Sequence, residues 1–382
     1  MFILSPAHLI SLPTVLELLI LFLLSYVSRF LPIIIILLIV IKSSLSKGTP
    51  SSKVSATSMK AIIYTPFSTM CLTNRPIPSL LPNQVLISVK ASSINPVDYK
   101  INPTKFPFIR WLSSFTVARD VAGTVIDIGQ NVTKFKIGDI VYGCSSSGSL
   151  AEFSTADENK IAKVPSNMNI LDMVGIALAG DTAYQSLLWF IKKEDLPSKT
   201  VLVIGGSGGV GSQALQILKY YNTKAVYGVC SSKNESYVKE LCDKVIDYTK
   251  GIEEQIGDVK FDLIFDTVTS MEDENQRIKY AKFLNEQNGK YVQINGKPIE
   301  FMKGIFTSHV VNVPGVEDKN YHLHLLNWKG EDLEELAKMA SEGKLKVRKE
   351  VVKFTEDEVV NAFNKLKSRR TVGKIVIDME SK

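Results

Sequence analysis

Residues 201–211 read VLVIGGSGGVG, which is the most specific motif of the chain. A run of aliphatic residues leads into the pattern GxGxxG at Gly206, Gly208 and Gly211, and an apolar helical pattern follows directly. The first glycine permits a tight turn, the second lets the backbone approach a pyrophosphate, and the third lets the helix pack closely on the strand. The stretch therefore predicts a strand, a loop and a helix whose N-terminus binds an anion. The predicted cradle consists of Gly206, Gly208, Gly209, Val210 and Gly211.

The residues after the next predicted strand, Ala225–Cys230, indicate which dinucleotide is bound. Folds that bind NAD place Asp or Glu there to hold the ribose 2′-OH. Here the strand is followed by Ser231, Ser232 and Lys233, and the first acid is Glu235. Two hydroxyls and an ammonium suit a 2′-phosphate, whereas a carboxylate would repel it. The segment therefore predicts NADPH as the cofactor.

Strands alternate with helical patterns after about residue 169, which is typical of a doubly wound parallel sheet of the Rossmann type. Before that point, short strands follow one another with no long helix between them, which favours a compact β-barrel-like domain. The fold class is therefore α/β, with a β-barrel domain and a Rossmann domain. The predicted strands are 59–64, 84–91, 123–128, 140–143 and 151–154 in the barrel, then 201–205, 225–230, 244–247, 263–268, 291–294 and 310–313, and finally 374–377. Helices are predicted at 183–189, 209–221, 236–242, 332–342 and 356–367.

Several further motifs resemble one protein family. They are ASSINPVDYK at 91–100, RDVAG at 119–123, FKIGDIVYG at 135–143, AGDTAY at 179–184, VIDY at 245–248 and GKIV at 373–376. Together with the glycine loop they are similar to the zinc-free medium-chain dehydrogenases/reductases, in the quinone-oxidoreductase-like branch that includes reticulon-interacting oxidoreductases and chloroplast enone reductases. The resemblance covers residues 59–382.

The resemblance implies a GroES-like catalytic domain that is interrupted by the Rossmann domain, with the last strand returning to the first domain. The expected boundaries are 1–58 for an anchor and linker, 59–180 for the catalytic domain, 181–315 for the Rossmann domain and 316–382 for the return. The resemblance also implies that Lys233, Tyr248 and Arg369 hold the 2′-phosphate and that Thr182 lies beside the nicotinamide. One position departs from the family, which usually has Gly where Ala118 stands.

The zinc-dependent members of this superfamily use Cys and a Gly-His-Glu motif for catalytic zinc. Here Asn95 stands at the first ligand position, and Ala118-Arg119-Asp120 replaces the motif. His322 and His324 have no nearby Cys to complete a tetrahedral site and are expected at the surface. No metal is therefore expected. Without this Lewis acid, reduction of an activated acceptor fits better than oxidation of an alcohol.

The predicted reaction is hydride transfer from NADPH to a conjugated carbonyl, either an enone or enal or a quinone. The oxygen that gains negative charge needs a hydrogen-bond donor, and the Asn95 amide or the Tyr99 hydroxyl could supply it. Protonation would come from water or from Tyr99. Two other interpretations stay open. An Asn before Pro often only makes a turn, and a non-catalytic, membrane-tethered nucleotide-binding adaptor could keep the same fold.

Residues 9–41 are almost entirely apolar and long enough for one membrane-spanning helix. Three lysines follow this stretch and no Lys or Arg precedes it, which predicts an N-terminal membrane anchor with a cytosol-facing catalytic domain. Residues 43–58 are rich in Ser, Thr and Lys and predict a flexible linker. The alternative is translation from Met59, which would make a soluble cytosolic or mitochondrial protein.

Composition excludes other classes. The net charge of the 382 residues is +6, and residues 1–58 contribute four basic residues against one acidic residue. The remainder shows no basic stripe with interleaved aromatic residues, so nucleic acid is not an expected partner. Four cysteines without a CxxC pair argue against a disulfide framework. The expected partners are the small-molecule acceptor and the membrane, and the oligomeric state is left open, with a homodimer as one expectation.

Overall fold

The structure is a computed structural model that describes residues 48–51, 53–65, 69–100, 116–268, 274–295, 310–312 and 321–381. These residues belong to one compact unit, Thr49–Lys382, apart from Gly48. The predicted hydrophobic helix falls within residues 1–47, outside the described residues, and stays a prediction. Within the described ranges, no helix is both long and apolar enough to cross a membrane.

An antiparallel barrel-type sheet forms the first domain. Its central strands carry buried apolar side chains along most of their length, such as Val85, Leu86, Ile87 and Val125. The strands are β1 (Ser58–Tyr64), β2 (Met70–Pro76), β3 (Gln84–Ile94), β4 (Asp120–Ile128), β5 (Ile140–Cys144), β6 (Phe153–Asp157), β7 (Ile161–Lys163), β15 (Lys349–Lys353) and β16 (Lys374–Asp378). The main sheet has the order β15-β16-β3-β4-β5-β7, β6 also pairs with β3, and β1 pairs with β2. Because β16 pairs antiparallel with β3, the predicted return of the last strand is confirmed.

A parallel sheet forms the second domain. Its strands are β8 (Thr200–Ile204), β9 (Ala225–Cys230), β10 (Lys244–Asp247), β11 (Leu263–Asp266), β12 (Lys290–Gln293), β13 (Val310–Asn312) and β14 (Tyr321–His324), in the order β10-β9-β8-β11-β12-β14-β13. The first six in this order are parallel, and β13 is antiparallel to β14 at one end. The prediction of residues 310–313 as the sixth parallel strand was wrong, because β14 takes that place. The Rossmann sheet thus extends past the expected boundary at residue 315.

One helix connects the two domains. The first helix, α1, spans only Pro96–Lys100. The connecting helix, α2, spans Ile170–Leu188, and its N-cap residue Asn169 accepts a hydrogen bond on its side chain from the Leu171 N–H (2.8 Å). It is apolar on nearly all sides, because it packs against β3, β4 and β5 of the barrel and against the helix Gly209–Tyr220 of the second domain. The predicted helix 183–189 was therefore too short, and α2 crosses the expected boundary at residue 180.

The remaining helices cover the sheets. They are α3 (Gly209–Tyr220), α4 (Glu235–Lys239), α5 (Ile252–Ile256), α6 (Glu274–Ala281), α7 (Gly330–Ser341) and α8 (Glu356–Lys367). In α8, acidic residues occupy the first turn and Lys365 and Lys367 the last, an order that complements the helix dipole. α7 packs against α2, and α8 packs against β15 and β2.

Part of the predicted linker is held in place by hydrogen bonds. The backbones of Thr49 and Leu80 exchange two hydrogen bonds (3.0 and 2.9 Å), and the Ser51 hydroxyl donates to Asp127 Oδ2 (2.6 Å). The prediction of a flexible linker was therefore wrong for residues 49–51. A polar composition permits flexibility, but it does not prevent a segment from pairing with a neighbouring backbone.

The expected surface position of His322 and His324 was also wrong. Both lie on β14, which is flanked by β12 and β13, so His324 is buried and His322 is half-buried with its ring against Phe190. Cys71, Cys144, Cys230 and Cys242 are free thiols in the structure.

Ala118, the position that departs from the family, has a φ of 66° and is buried. An L-residue in this left-handed region costs roughly 1–2 kcal/mol, which exceeds the ~0.8 kcal/mol gained by burying one methyl group. The net gain of roughly 0.2–1.2 kcal/mol is expected to raise the melting temperature of Ala118→Gly by about 1–2 °C. Ala122→Gly is the matched control, because Ala122 is a buried alanine of β4 outside the left-handed region, and this change should lower the melting temperature. A loss of stability in both variants would contradict the assignment of strain to Ala118.

Candidate functional site

The glycine loop closes over the end of β8. The N–H groups of Gly205 and Gly206 both donate to the Val229 carbonyl (3.1 and 2.8 Å), and the Gly208 N–H donates to the Gly205 carbonyl (2.9 Å). Helix α3 begins at the next residue, Gly209. A Cβ on Gly211 would lie 2.2 Å from the Gly205 oxygen, so only glycine lets the helix approach the loop. The predicted strand, loop and helix are confirmed.

Gly208 differs from Gly211 in its surroundings. Its backbone is extended (φ −79°, ψ 172°), and an added Cβ would have one neighbour within 4 Å, the Gly205 oxygen at 3.4 Å. Protein atoms therefore leave room in front of this glycine. The N–H groups in the first turn of α3 have no intrahelical acceptor and suit an anion. The loop fits the pyrophosphate of a dinucleotide on these grounds.

The carboxyl ends of β9 and β10 lie side by side next to this loop. The Tyr248 N–H donates to the Cys230 carbonyl (3.0 Å), which brings the segment after β10 next to the segment after β9. Lys233 is exposed, and about half of Tyr248 (52%) is exposed. Ser231 accepts a long hydrogen bond from Asn234, which also donates to the Ser207 hydroxyl of the glycine loop (3.2 Å). The structure therefore brings these predicted cofactor residues together at one edge.

Asp247, at the end of β10, is the acid closest in the fold to Ser232. Ser232 Oγ donates to Asp247 Oδ2 (2.5 Å), and Thr249 donates to Asp247 Oδ1 through its hydroxyl (2.7 Å) and its N–H (3.0 Å). Lys250 Nζ lies 3.2 Å from the same carboxylate. The Ser232 hydrogen bond, followed by those from Thr249, holds the pKa of Asp247 well below its usual range. This carboxylate is saturated by internal donors, and Ser232 is one of them.

Arg369 lies close to α1. Burial lowers the pKa of Lys100, and the Arg369 guanidinium lowers it further. The same guanidinium lowers the pKa of Tyr99, against the larger opposite effect of burial. Arg369 is exposed, and its φ of 59° is in the left-handed region. Strain of this kind clusters at functional sites. Within the described residues, no hydrogen bond or ion pair joins Arg369 to Lys233 or Tyr248.

Asn95 is the centre of a buried polar network. It is 3% exposed, and its backbone N–H donates to Asp98 Oδ2 (2.7 Å). Its side-chain Nδ2 donates to Asp120 Oδ2 (2.8 Å), while its Oδ1 accepts from Lys374 Nζ. Lys374 Nζ also lies 3.4 Å from Asp120 Oδ2 and donates to the Ile94 carbonyl (3.4 Å). The two charged partners thus define the direction of the Asn95 amide.

Burial controls the charges in this network. Burial, and after it the neighbouring Asp120, raise the pKa of Asp98 to about 7. Burial also raises the pKa of Asp120 and lowers that of Lys374, against the mutual attraction of the two groups. Asp120 Oδ1 accepts a further hydrogen bond from the Leu178 N–H of α2 (3.1 Å). The network therefore ties the barrel to the connecting helix.

The two other predicted catalytic residues lie on different helices. Tyr99 is on α1, directly after the turn in which the Asp98 N–H donates to the Asn95 carbonyl (3.0 Å), and burial raises its pKa. Thr182 is on α2 and is 7% exposed. Asn95 does make the turn that its position before Pro96 suggested, and its side chain is engaged in the network as well.

Sequence reasoning missed a hydrogen-bonded chain that crosses from α1 to the parallel sheet. Lys100 Nζ donates to Asn295 Oδ1 (2.9 Å), Asn295 Nδ2 donates to the Thr267 carbonyl (3.3 Å), and the Thr267 hydroxyl donates to the Ile204 carbonyl (2.8 Å). Val268, which follows, is 44% exposed. These residues lie after β8, β11 and β12, at the point where the strand order reverses and ligands bind in such sheets. Thr267 and Asn295 could have been identified from the sequence by their position at the carboxyl ends of two predicted parallel strands.

The residues at the zinc-ligand positions do not fit a zinc ion. Arg119 Nη1 donates to the Ser145 carbonyl (3.0 Å), and Asn95 Oδ1 already accepts from the Lys374 ammonium. Zinc prefers thiolate, imidazole and carboxylate ligands, and the Arg119 guanidinium together with the Lys374 ammonium on Asn95 opposes a further cation. In the part of the chain that the structure describes, no cluster of three or more His, Cys, Asp or Glu residues could hold a metal ion.

A barrel-type sheet and a parallel dinucleotide-type sheet that share one connecting helix define a two-domain oxidoreductase architecture. Residues 81–166 match the family model of the alcohol dehydrogenase GroES-like domain, and residues 242–377 match that of zinc-binding dehydrogenases. The chain is 32% identical over 336 residues to 2-methylene-furan-3-one reductase of Solanum lycopersicum, covering 84% of this chain and 79% of that protein. It is 30% identical to the chloroplastic NADPH-dependent alkenal/one oxidoreductase of Arabidopsis thaliana, covering 88% and 86%.

Among solved structures, the quinone oxidoreductase of Coxiella burnetii superimposes with a TM-score of 0.72 at 26% identity, covering 85% of this chain and all of that chain. The chain belongs to the medium-chain dehydrogenase/reductase superfamily, in its quinone-oxidoreductase-like branch, and is an oxidoreductase. The resemblance inferred from the sequence motifs is confirmed.

Proposed function

We propose that this protein is an NADPH-dependent, zinc-independent reductase that transfers hydride to an α,β-unsaturated carbonyl or a quinone. One observation carries the choice of cofactor. At the edge formed by β9 and β10, Asp247 is saturated by Ser232, Thr249 and Lys250, while the Lys233 ammonium is exposed. This edge favours a 2′-phosphate, which the exposed ammonium attracts. It does not favour the ribose 2′-OH of NAD, because the Asp247 carboxylate that could accept its hydrogen bond is already engaged.

The cradle from Gly206 to Gly211 would hold the pyrophosphate, and Lys233 and Tyr248 the 2′-phosphate. Ser231 contributes a hydroxyl at the same edge, whereas Ser232 acts by engaging Asp247. Arg369 is the third proposed phosphate ligand. When bound, NADPH supplies the hydride for the reaction.

The acceptor carbonyl gains negative charge on its oxygen, and the Asn95 amide is the proposed donor. Its Nδ2 carries two N–H groups, and Asp120 takes one of them. Tyr99 is the second candidate donor and a source of the proton, because a phenol is protonated at neutral pH and burial raises the pKa of this one further. Thr182 is proposed to line the cleft beside the nicotinamide. Two relatives whose names specify furanone and alkenal/one substrates support this class of acceptor.

The proposal predicts a strong preference for NADPH over NADH. Each charge-assisted contact to the 2′-phosphate contributes roughly 1.5–3 kcal/mol, so Lys233→Ala should weaken NADPH binding about 10-fold or more and leave NADH binding unchanged. The measurement is nicotinamide fluorescence on titration with each cofactor. Lys239→Ala, an exposed lysine on the following helix α4, is the matched control and should change neither affinity.

Two further arms complete this test. Arg369→Ala should weaken NADPH binding alone if Arg369 contacts the 2′-phosphate, and an equal effect on NADH would remove it from that role. Turnover is then measured with enals, enones and quinones at fixed NADPH. Equal Michaelis constants for the two cofactors would refute the cofactor assignment, and tight NADPH binding without turnover of any acceptor would favour the non-catalytic adaptor.

We also expect the purified protein to contain no stoichiometric zinc, since Arg119 and the Lys374-bound Asn95 occupy the ligand positions. Elemental analysis by mass spectrometry measures this directly, and a strong chelator should leave turnover unchanged. One tightly held zinc per chain, with turnover lost on chelation, would overturn the zinc-independent mechanism.

A further inference from the structure

The dipeptide Gly373-Lys374, at the start of β16, contacts both the cofactor loop and the catalytic network. The Gly373 N–H donates to the Ser207 carbonyl (2.9 Å), and Gly373 forms a parallel bridge with Gly208. The Lys374 side chain extends in the other direction to Asn95 and Asp120. Two consecutive residues therefore make these contacts: Gly373 contacts the pyrophosphate cradle, and Lys374 contacts the proposed donor Asn95.

The backbone conformation at Gly373 is tightly restricted. Gly373 has a φ of 69°, and a Cβ there would lie 2.0 Å from the Arg348 oxygen. The Lys374 N–H donates to the same Arg348 carbonyl (2.9 Å). Only glycine can occupy position 373, and the starting point of the Lys374 side chain is therefore fixed.

The stem of Lys374 lies against the first residue of α3. A Cβ on Gly209 would approach Lys374 Cδ to 2.8 Å, so the two are in close contact. The side chain is 4% exposed, and its ammonium reaches Asn95 Oδ1, Asp120 Oδ2 and the Ile94 carbonyl. The lysine thus passes beneath the N-terminus of α3 and ends at the amide.

The chemistry of these groups determines which way the amide of Asn95 points. An ammonium group only donates and an ionised carboxylate only accepts. Lys374 therefore requires the Asn95 oxygen on its side, and Asp120 requires the nitrogen. Without the lysine, the amide could rotate and present its oxygen where a donor is needed.

We propose that Lys374 is a positioning residue that fixes the donor orientation of the Asn95 amide relative to the glycine loop. This inference rests on the proposed function, because it assigns Asn95 as the donor to the acceptor oxygen. The alternative is that Lys374 and Asp120 form a buried ion pair that serves stability alone.

The test removes both charges together in the full-length protein, as Asp120→Asn/Lys374→Met, so that neither partner is left as an uncompensated buried charge. We expect kcat to fall about 10-fold or more while the NADPH dissociation constant stays within about 3-fold, because only the orientation of the donor is lost. Lys374→Arg keeps the charge but not the compact ammonium, and should lower kcat as well. Lys365→Met, which alters an exposed lysine paired with Glu350, is the control and should leave kcat unchanged.

A double-mutant cycle separates positioning from stability. If Lys374 acts through Asn95, adding Asp120→Asn/Lys374→Met to Asn95→Ala should cause no further loss of kcat. Unchanged kcat in the folded charge-free variant and in Lys374→Arg, or a loss that adds in full to that of Asn95→Ala, would overturn the positioning role. If Asn95→Ala itself keeps full kcat, the donor assignment in the proposed function fails, and the positioning role fails with it.

Discussion

Replacing Asn95 by alanine is expected to lower kcat about 100-fold or more, in the range found when one donor to a developing oxyanion is removed. The reason is the orientation of the amide, which is held by Lys374 on one side and by Asp120 on the other. The loss should appear in kcat and in kcat/KM together, since the contact is made in the transition state. Steady-state kinetics with a saturating enone and NADPH measures both quantities.

The control for this variant must also lose a buried hydrogen bond. Ser93→Ala serves this purpose, because the Ser93 hydroxyl is buried near the end of β3, two residues before Asn95, and donates to the Ile375 carbonyl (3.1 Å). We expect it to lower the melting temperature and to leave kcat unchanged. If Asn95→Ala retains kcat and Tyr99→Phe loses it, the donor is the Tyr99 hydroxyl and the Asn95 assignment is wrong.

The second large effect is expected at the cofactor loop. Gly208→Ala should weaken NADPH binding about 10- to 100-fold, because the methyl group would occupy the space through which the backbone approaches the pyrophosphate. The fold should tolerate this change, since the backbone is extended and the nearest protein atom to the new Cβ lies 3.4 Å away. Fluorescence titration gives the affinity, and thermal unfolding without cofactor gives the stability.

Two other glycines make this prediction specific. Gly251→Ala is the neutral control, because its nearest neighbour would be 3.9 Å away and its φ is −58°. Gly211→Ala should lower stability as well as affinity, because its Cβ would lie 2.2 Å from the Gly205 oxygen. Unchanged NADPH affinity in Gly208→Ala would exclude this part of the loop as the pyrophosphate site.

The local elements of the cofactor site could be predicted from the sequence. The glycine spacing, the aliphatic run before it and the helical pattern after it act over a few residues, and sterics leave them one compatible conformation. The same holds for Ser231, Ser232 and Lys233, whose place follows from the end of β9. The sequence did not reveal that Ser232 engages Asp247, since that contact depends on the pairing of β9 with β10.

Contacts between distant segments could not be predicted in this way. Asn95, Asp120 and Lys374 meet because β3 pairs with β4, placing Ser93 opposite Asp120, and with β16, placing Ile94 opposite Ile375. A register shift of one residue would turn these side chains to the opposite face, and composition carries no information on that choice.

The sequence alone determined the two-domain class, the glycine cradle and the family resemblance, because each rests on short-range spacing. The structure was needed to show that β14 and not β13 is the sixth parallel strand, that residues 49–51 are held against the barrel, and that His324 is buried. It also showed that Lys374 ends at Asn95. Each of these outcomes depends on which strands become neighbours, and that depends on contacts between distant segments, such as the core in which α2 packs with residues of both sheets.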